Sequence, residues 1–211
     1  MILVLAFDPA SAQDSFADCG SLENAFGPFD YTNPAYTTEQ QGRGESPLGL
    51  VEGGHFDSDV ENLVRGVSTS SPLNDLDYTL RAFPNHHRAL HAIANYHLKY
   101  GLRKHGRYTI ECWFDRAMRF RPDDPIVRVV YGVFLAKKGS SDDALEQYKE
   151  ALQIRESIPE AHYNIGLLYT ELRQYDLAYD HAIRAYELGY PLPGLRNRLI
   201  KAGVWDLSPK E

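Results

Sequence analysis

Methionine, tryptophan and cysteine occur twice each in 211 residues, the cysteines at Cys19 and Cys112. With so little methionine, an adaptable thioether surface is ruled out; fourteen tyrosines imply amphipathic, well-defined packing faces instead. No run of 18 or more apolar residues is present, so no segment reads as a membrane-spanning helix. There is no Lys/Arg block in a chain of formal net charge −7, a balance that a phosphate backbone repels, so no nucleic-acid partner is expected. A phosphate-binding glycine loop, a G-x-S-x-G elbow and a paired catalytic carboxylate signature are all missing. No catalytic residue and no cofactor are therefore assigned, and the chain is read as non-enzymatic.

What is there begins with an apolar stretch, Met1-Ile2-Leu3-Val4-Leu5-Ala6-Phe7, followed by Ala10-Ser11-Ala12, which has the form of an export cleavage site. No basic segment precedes it and Asp8 interrupts it; residues 1–12 are nevertheless taken as a signal-peptide remnant, with a short N-terminal strand or a ragged end as the alternative. Export would place the protein in the periplasm or outside the cell and would favour a Cys19–Cys112 bridge. In a reduced cytoplasm the same residues would be two buried thiols.

Residues 13–52 carry Gly20, Gly27, Gly42, Gly44, Gly49, Pro28, Pro34 and Pro47, which break regular structure. They also carry Phe16, Phe26, Phe29, Tyr31 and Tyr36, unlike a disordered tail. An extended aromatic arm laid on the body is expected. From His55 the spacing of Phe56, Val60, Leu63 and Val64 predicts a helix capped by Asp57 or Ser58 and ended by Gly66. A loop over Ser68–Pro72 and a short helix up to Pro84 complete a degenerate first hairpin over 53–84. Asp57-Ser58-Asp59-Val60-Glu61 lacks the glycine and twelfth-position Glu of a calcium loop, and reads as an acidic helix start.

Further along, a pattern recurs at a period of 34 residues. Gly132 returns as Gly166, Ala144 as Ala178, and Ala151 as Ala185; Leu135 matches Tyr169. Small residues at fixed phase mark helical hairpins whose helices cross closely. The regular hairpins span 124–157 and 158–191, and an irregular one spans 85–123. There Ala117 and Phe114 keep the phase of Ala151 and Tyr148, and an insertion falls in the 102–106 turn. Residues 192–211, with Leu195, Leu199, Ile200 and Trp205, form a C-terminal cap.

These residues resemble the tetratricopeptide repeat, with Gly132, Leu135, Ala144 and Ala151, then Gly166, Tyr169, Ala178 and Ala185, at its signature positions. The family's bulky aromatic early in the first helix is Arg128 and His162 here. Cys19-Gly20-Ser21-Leu22, Gly27-Pro28-Phe29-Asp30-Tyr31 and Val51 to Phe56 further resemble the leader of uncharacterised bacterial proteins with such repeats. The resemblance implies an all-α fold: a short right-handed α-solenoid of helical hairpins with an extended irregular N-terminal arm and a C-terminal capping helix. It implies an interaction scaffold in which first helices line a concave groove. The groove positions would be His91, Asn95, Val129, Val133, Lys137, Tyr163, Asn164, Leu167 and Thr170. Val130 stands where a carboxylate-gripping clamp wants a polar residue, so an apolar peptide or protein segment is the expected occupant. That occupant is either a partner, such as an assembly-complex component, or the protein's own arm.

Two other clusters carry chemistry. His86, His87 and His91 lie together, His87 and His91 four apart on one helical face, a spacing for two metal ligands. They give the alternative reading, a metal-binding or metal-dependent protein. Arg116, Arg119 and Arg121 near a helix end either favour the carbonyl dipole, pair with Asp123, Asp124 or the arm, or form an anionic-partner site.

Overall fold

A computed structural model describes residues 19–39, 45–101 and 107–205. Among them it contains eleven helices and no strand. The body is a stack of antiparallel pairs: α7 (Pro125–Lys138) against α8 (Ser141–Ile154), and α9 (Pro159–Glu171) against α10 (Tyr175–Glu187). α5 (His87–Tyr100) packs on α6 (Ile110–Phe120) and on α7, and α8 on α9. The small residues of the 34-residue pattern sit where these helices cross: Ala144, Ala151, Ala178 and Ala185 are all fully buried. A methyl on Gly132 would lie 2.5 Å from the ring of Tyr148, itself buried.

Where the expected aromatic is missing, each hairpin carries a polar contact instead. Arg128 of α7 reaches Gln147 and Glu150 of α8. His162 of α9 faces His181 of α10, Nδ1 to Nδ1, at 3.0 Å. Both pairs, 128 with 147 and 162 with 181, are related by the 34-residue period.

The two ends are closed differently. At the C-terminal end α11 (Gly194–Lys201) buries Leu195 and Leu199 against α9 and α10, while Ile200 stays exposed. Trp205 packs on Tyr179 and Tyr186. At the N-terminal end the expected helix from His55 to Gly66 is a single turn, α3 (Ser58–Glu61), started by Asp57, whose side chain accepts from the Asp59 and Val60 amides. Val64 is 69% exposed, so the apolar spacing overstated the helix. The longer helix lies upstream. α2 (Pro47–His55) falls mostly in residues read as the arm, because Pro47 and Gly49 look like breakers. Proline is tolerated at the first helical position, where its missing N–H has no partner to lose, and Ser46 caps the turn by accepting from the Gly49 amide. Pro72 likewise opens α4 (Pro72–Ala82) rather than closing a loop.

The arm, with the one-turn α1 (Pro34–Thr37), is laid on α2 and α4. Phe26, Phe29, Tyr31 and Tyr36 pack with Leu48 and Tyr78 around the buried Val51, Ala82 and Phe83. The Phe29 amide donates to the Ala82 carbonyl at 2.8 Å. Gly27 makes that approach: a Cβ there would lie 2.5 Å from the same oxygen, and its φ of +98° disfavours other residues. The expected anchor Phe16 lies outside the described residues.

Candidate functional site: a concave groove and a latched arm

The first helices α7 and α9 leave an open cavity of about 380 Å³ between them, with α11 at one end. Val133, Ala136 and Lys137 line it from α7; Asn164, Leu167, Leu168 and Glu171 line it from α9. Tyr148 and Arg198 complete it. Leu168 and Tyr148 are buried and form its floor; Val133, Ala136 and Leu167 are partly exposed walls. Of the residues expected in the groove, Val133, Lys137, Asn164 and Leu167 therefore meet in one cavity.

Others are placed differently. Val129 and Tyr163 are 6% and 7% exposed and belong to the core, the Tyr163 ring packing tilted on Tyr190 at 4.2 Å. A helix face shared with groove positions does not separate residues that point at a partner from those that point at the next helix. The Thr170 hydroxyl donates to the Gly166 carbonyl, one turn back in its own helix. His91 and Asn95, from α5, join the surface through Lys137, whose Nζ donates to Asn95 Oδ1 at 3.2 Å. Asn95 in turn lies 3.3 Å from His91 Nε2. Arg198, on the capping helix α11, lines the groove and pairs with Glu171 at 3.0 Å. Only the fold of α11 back onto α9 reveals it.

The described arm residues do not enter this groove. They are held at the other end, first by a disulfide joining Cys19 to Cys112, then by the arginine cluster. Arg116, 1% exposed, donates through Nη1 to the carbonyls of Cys19 and Ser21 and lies over the Tyr108 ring at 4.5 Å. Arg119 donates to the Gly20 carbonyl and Arg121 pairs with Asp30. All three side chains pair with the arm, and Arg121 also takes the other pairing open from the sequence, to Asp123 at 2.9 Å. Asp30, buried, also accepts from Asn85, whose amide group bridges it to Asp124 at 2.9 and 3.0 Å. Burial raises both pKa values, but the Thr32 amide with Asn85 holds Asp30, and His87 with Asn85 holds Asp124, below the usual carboxylate range.

The histidines expected to share a metal are spent separately. His86 is fully buried; its Nδ1 accepts from the Ala89 amide, so Nε2 carries the proton and donates to Glu52. Burial pushes its pKa down. His87 donates to Asp124 at 2.8 Å, and His91 lies by Asn95. His55 is bound to Asp75, and His97 packs on Phe134. Among the described residues no three His, Cys, Asp or Glu side chains form a metal-holding group.

A family model described as TPR repeat matches residues 134–172, across α7, α8 and α9. The chain carries a tetratricopeptide repeat. This repeat protein is 35% identical over 75 residues to the peroxisomal targeting signal receptor of Candida albicans, an alignment covering 36% of this chain and 12% of the receptor. It is 36% identical over 53 residues to the probable UDP-N-acetylglucosamine–peptide N-acetylglucosaminyltransferase SPINDLY of Hordeum vulgare, covering 25% of this chain and 6% of that protein. The chain thus spans a small part of the curated relatives it matches. The solved structure of MamA aligns at 22% identity over 56% of this chain and 65% of its own, with a TM-score of 0.41.

Proposed function

We propose that this tetratricopeptide-repeat protein is a non-enzymatic interaction scaffold that holds a peptide or protein segment in the groove between α7 and α9. One observation carries the reading: apolar side chains of both first helices stay partly exposed around a 380 Å³ cavity while both ends of the stack are covered, by the arm and by α11. Partly exposed apolar walls over a buried floor are what a bound segment can dry, at about 25 cal/mol per Å² removed from water. The similar receptors of Candida albicans and Saccharomyces cerevisiae are named for a targeting signal, which supports a peptide-like occupant. Location in an oxidising compartment, the periplasm or the cell exterior, is part of the same proposal. The Cys19–Cys112 bond supports it, because such bonds persist where thiols are not kept reduced.

Crosslinking in the native cell tests both parts. The chain carrying Val133→Asp and Leu167→Asp is expected to recover its partner at least ten-fold less than wild type, with an unchanged thermal melt. An undiminished yield would sink the groove. In the same cells, alkylated before lysis, Cys19 and Cys112 are expected to stay unlabelled until reduction; two labelled thiols would overturn the compartment.

A further inference from the structure

The charges around the groove narrow the chemistry of its occupant. Three formally charged side chains line it: Lys137, Glu171 and Arg198. Glu171 and Arg198 lie 3.0 Å apart at the α11 end and neutralise each other. Lys137 is exposed, donates to a neutral amide, Asn95, and has no carboxylate within ion-pair distance among the described residues. Its neighbour Lys138, by contrast, pairs with Glu111 on the other side of α7. His91 lies beside the Lys137–Asn95 contact and feels the Lys137 charge. One uncompensated positive charge therefore stands at the α5 side of the groove. One turn before it on α7 is the apolar wall of Val133, faced by Leu167.

The asparagines do not add a second grip on a carboxylate. Asn164 Nδ2 donates to the Glu160 carbonyl at 2.8 Å, within its own helix. Asn95 offers its oxygen to Lys137 and turns its nitrogen to His91. What remains is a single point charge next to an apolar seat. We propose that the groove selects an internal segment presenting one acidic side chain beside an apolar one, the acid toward Lys137 and the apolar group over Val133 and Leu167. This rests on the groove reading above. The net charge of −7 does not oppose it, because charges beyond about 8 Å are screened at physiological ionic strength.

A displayed library of random 12-residue peptides, tethered at both ends so that no terminal carboxylate is offered, tests it on the full chain. Wild type is expected to enrich Asp or Glu next to Leu, Ile or Phe. Lys137→Glu, at an exposed position that leaves the fold intact, is expected to enrich Lys or Arg at the same place and to bind the wild-type peptides about ten-fold more weakly, a reversal of one partly solvated ion pair. If both proteins enrich one consensus without acid, and Leu167→Asp abolishes its binding, the charge proposal falls while the groove stands. If no enriched peptide depends on Leu167, the groove reading falls with it.

Discussion

Gly132 and Gly166 occupy equivalent positions in successive repeats, yet they face different neighbours. A methyl at 132 meets Tyr148 ring atoms at 2.5, 2.8 and 2.9 Å, in a ring that is 1% exposed and has no room to turn. A methyl at 166 meets Leu195 Cδ2 at 2.5 Å, the far end of a flexible side chain, and otherwise only ordinary or slightly tight contacts. Alanine in a helix gains about 1 kcal/mol over glycine, whereas overpacking a rigid core costs about 1–3 kcal/mol. Gly132→Ala is therefore expected to lose up to about 2 kcal/mol in denaturant unfolding, and Gly166→Ala to fall within about 0.5 kcal/mol of wild type. Equal losses would mean that Leu195 is as fixed as Tyr148. That both positions are small was legible in the spacing; which neighbour enforces it was not, because Leu195 is 29 residues away in the capping helix.

In the α9–α10 hairpin, the substitution of histidine for the family aromatic has an electrostatic consequence. His162 Nε2 faces the Glu156 carbonyl at 3.1 Å, so it carries the proton, and Nδ1 accepts from His181 Nδ1–H. Both rings are neutral in this arrangement. Burial lowers both pKa values, and His181, with His162 beside it, is pushed down to about 4. Asp180 opposes that fall and Lys149 adds to it, while Arg184 lowers His162. In the unfolded chain a histidine titrates near 6.5. Above that pH neither state binds the proton and the pair has no pH effect. As pH falls from about 6.5 toward 4 the unfolded chain takes up protons that the folded hairpin refuses, so stability is lost over that window. Unfolding measured at pH 7.5 and 4.5 should show His181→Gln losing about 1–3 kcal/mol less than wild type between the two. A parallel loss in both proteins would remove the pair as the cause. The hairpin itself was readable from its period, but the ring-to-ring contact was not, since it needs the lateral offset of two packed helices. α2 was missed for the opposite reason: Pro47 and Gly49 read as breakers, and only burial of Val51 under the arm makes the segment helical.

For the whole molecule, the arm is fastened by two independent means. The bond from Cys19 to Cys112 closes a separation of 93 residues, and the carbonyls of residues 19–21 rest on Arg116 and Arg119. Farther on, Phe26, Phe29, Tyr31 and Tyr36 sit on Phe83 and its neighbours, with the Tyr31 amide held by Asn85. Long-loop disulfides typically contribute about 2–4 kcal/mol by restricting the unfolded chain. Cys112→Ser is expected to lower stability by about that amount and to speed amide hydrogen exchange over residues 20–24. The amides of Phe29 and Tyr31 should stay protected. Exchange rising evenly through residue 36 would show that the aromatic contacts do not hold without the bond.

The sequence by itself determined the repeat, its 34-residue phase, the helical class, and the pairing of an aromatic arm with a helical body. Each of these follows from local periodicity and from side chains too apolar to stay in water. Tertiary structure decided which groove-face residues are walls and which are core, where Arg198 points, that the arginines grip the arm, and that the histidines are spent on separate partners. Those outcomes depend on which neighbour a side chain meets across a helix crossing, and distance along the chain does not carry that information.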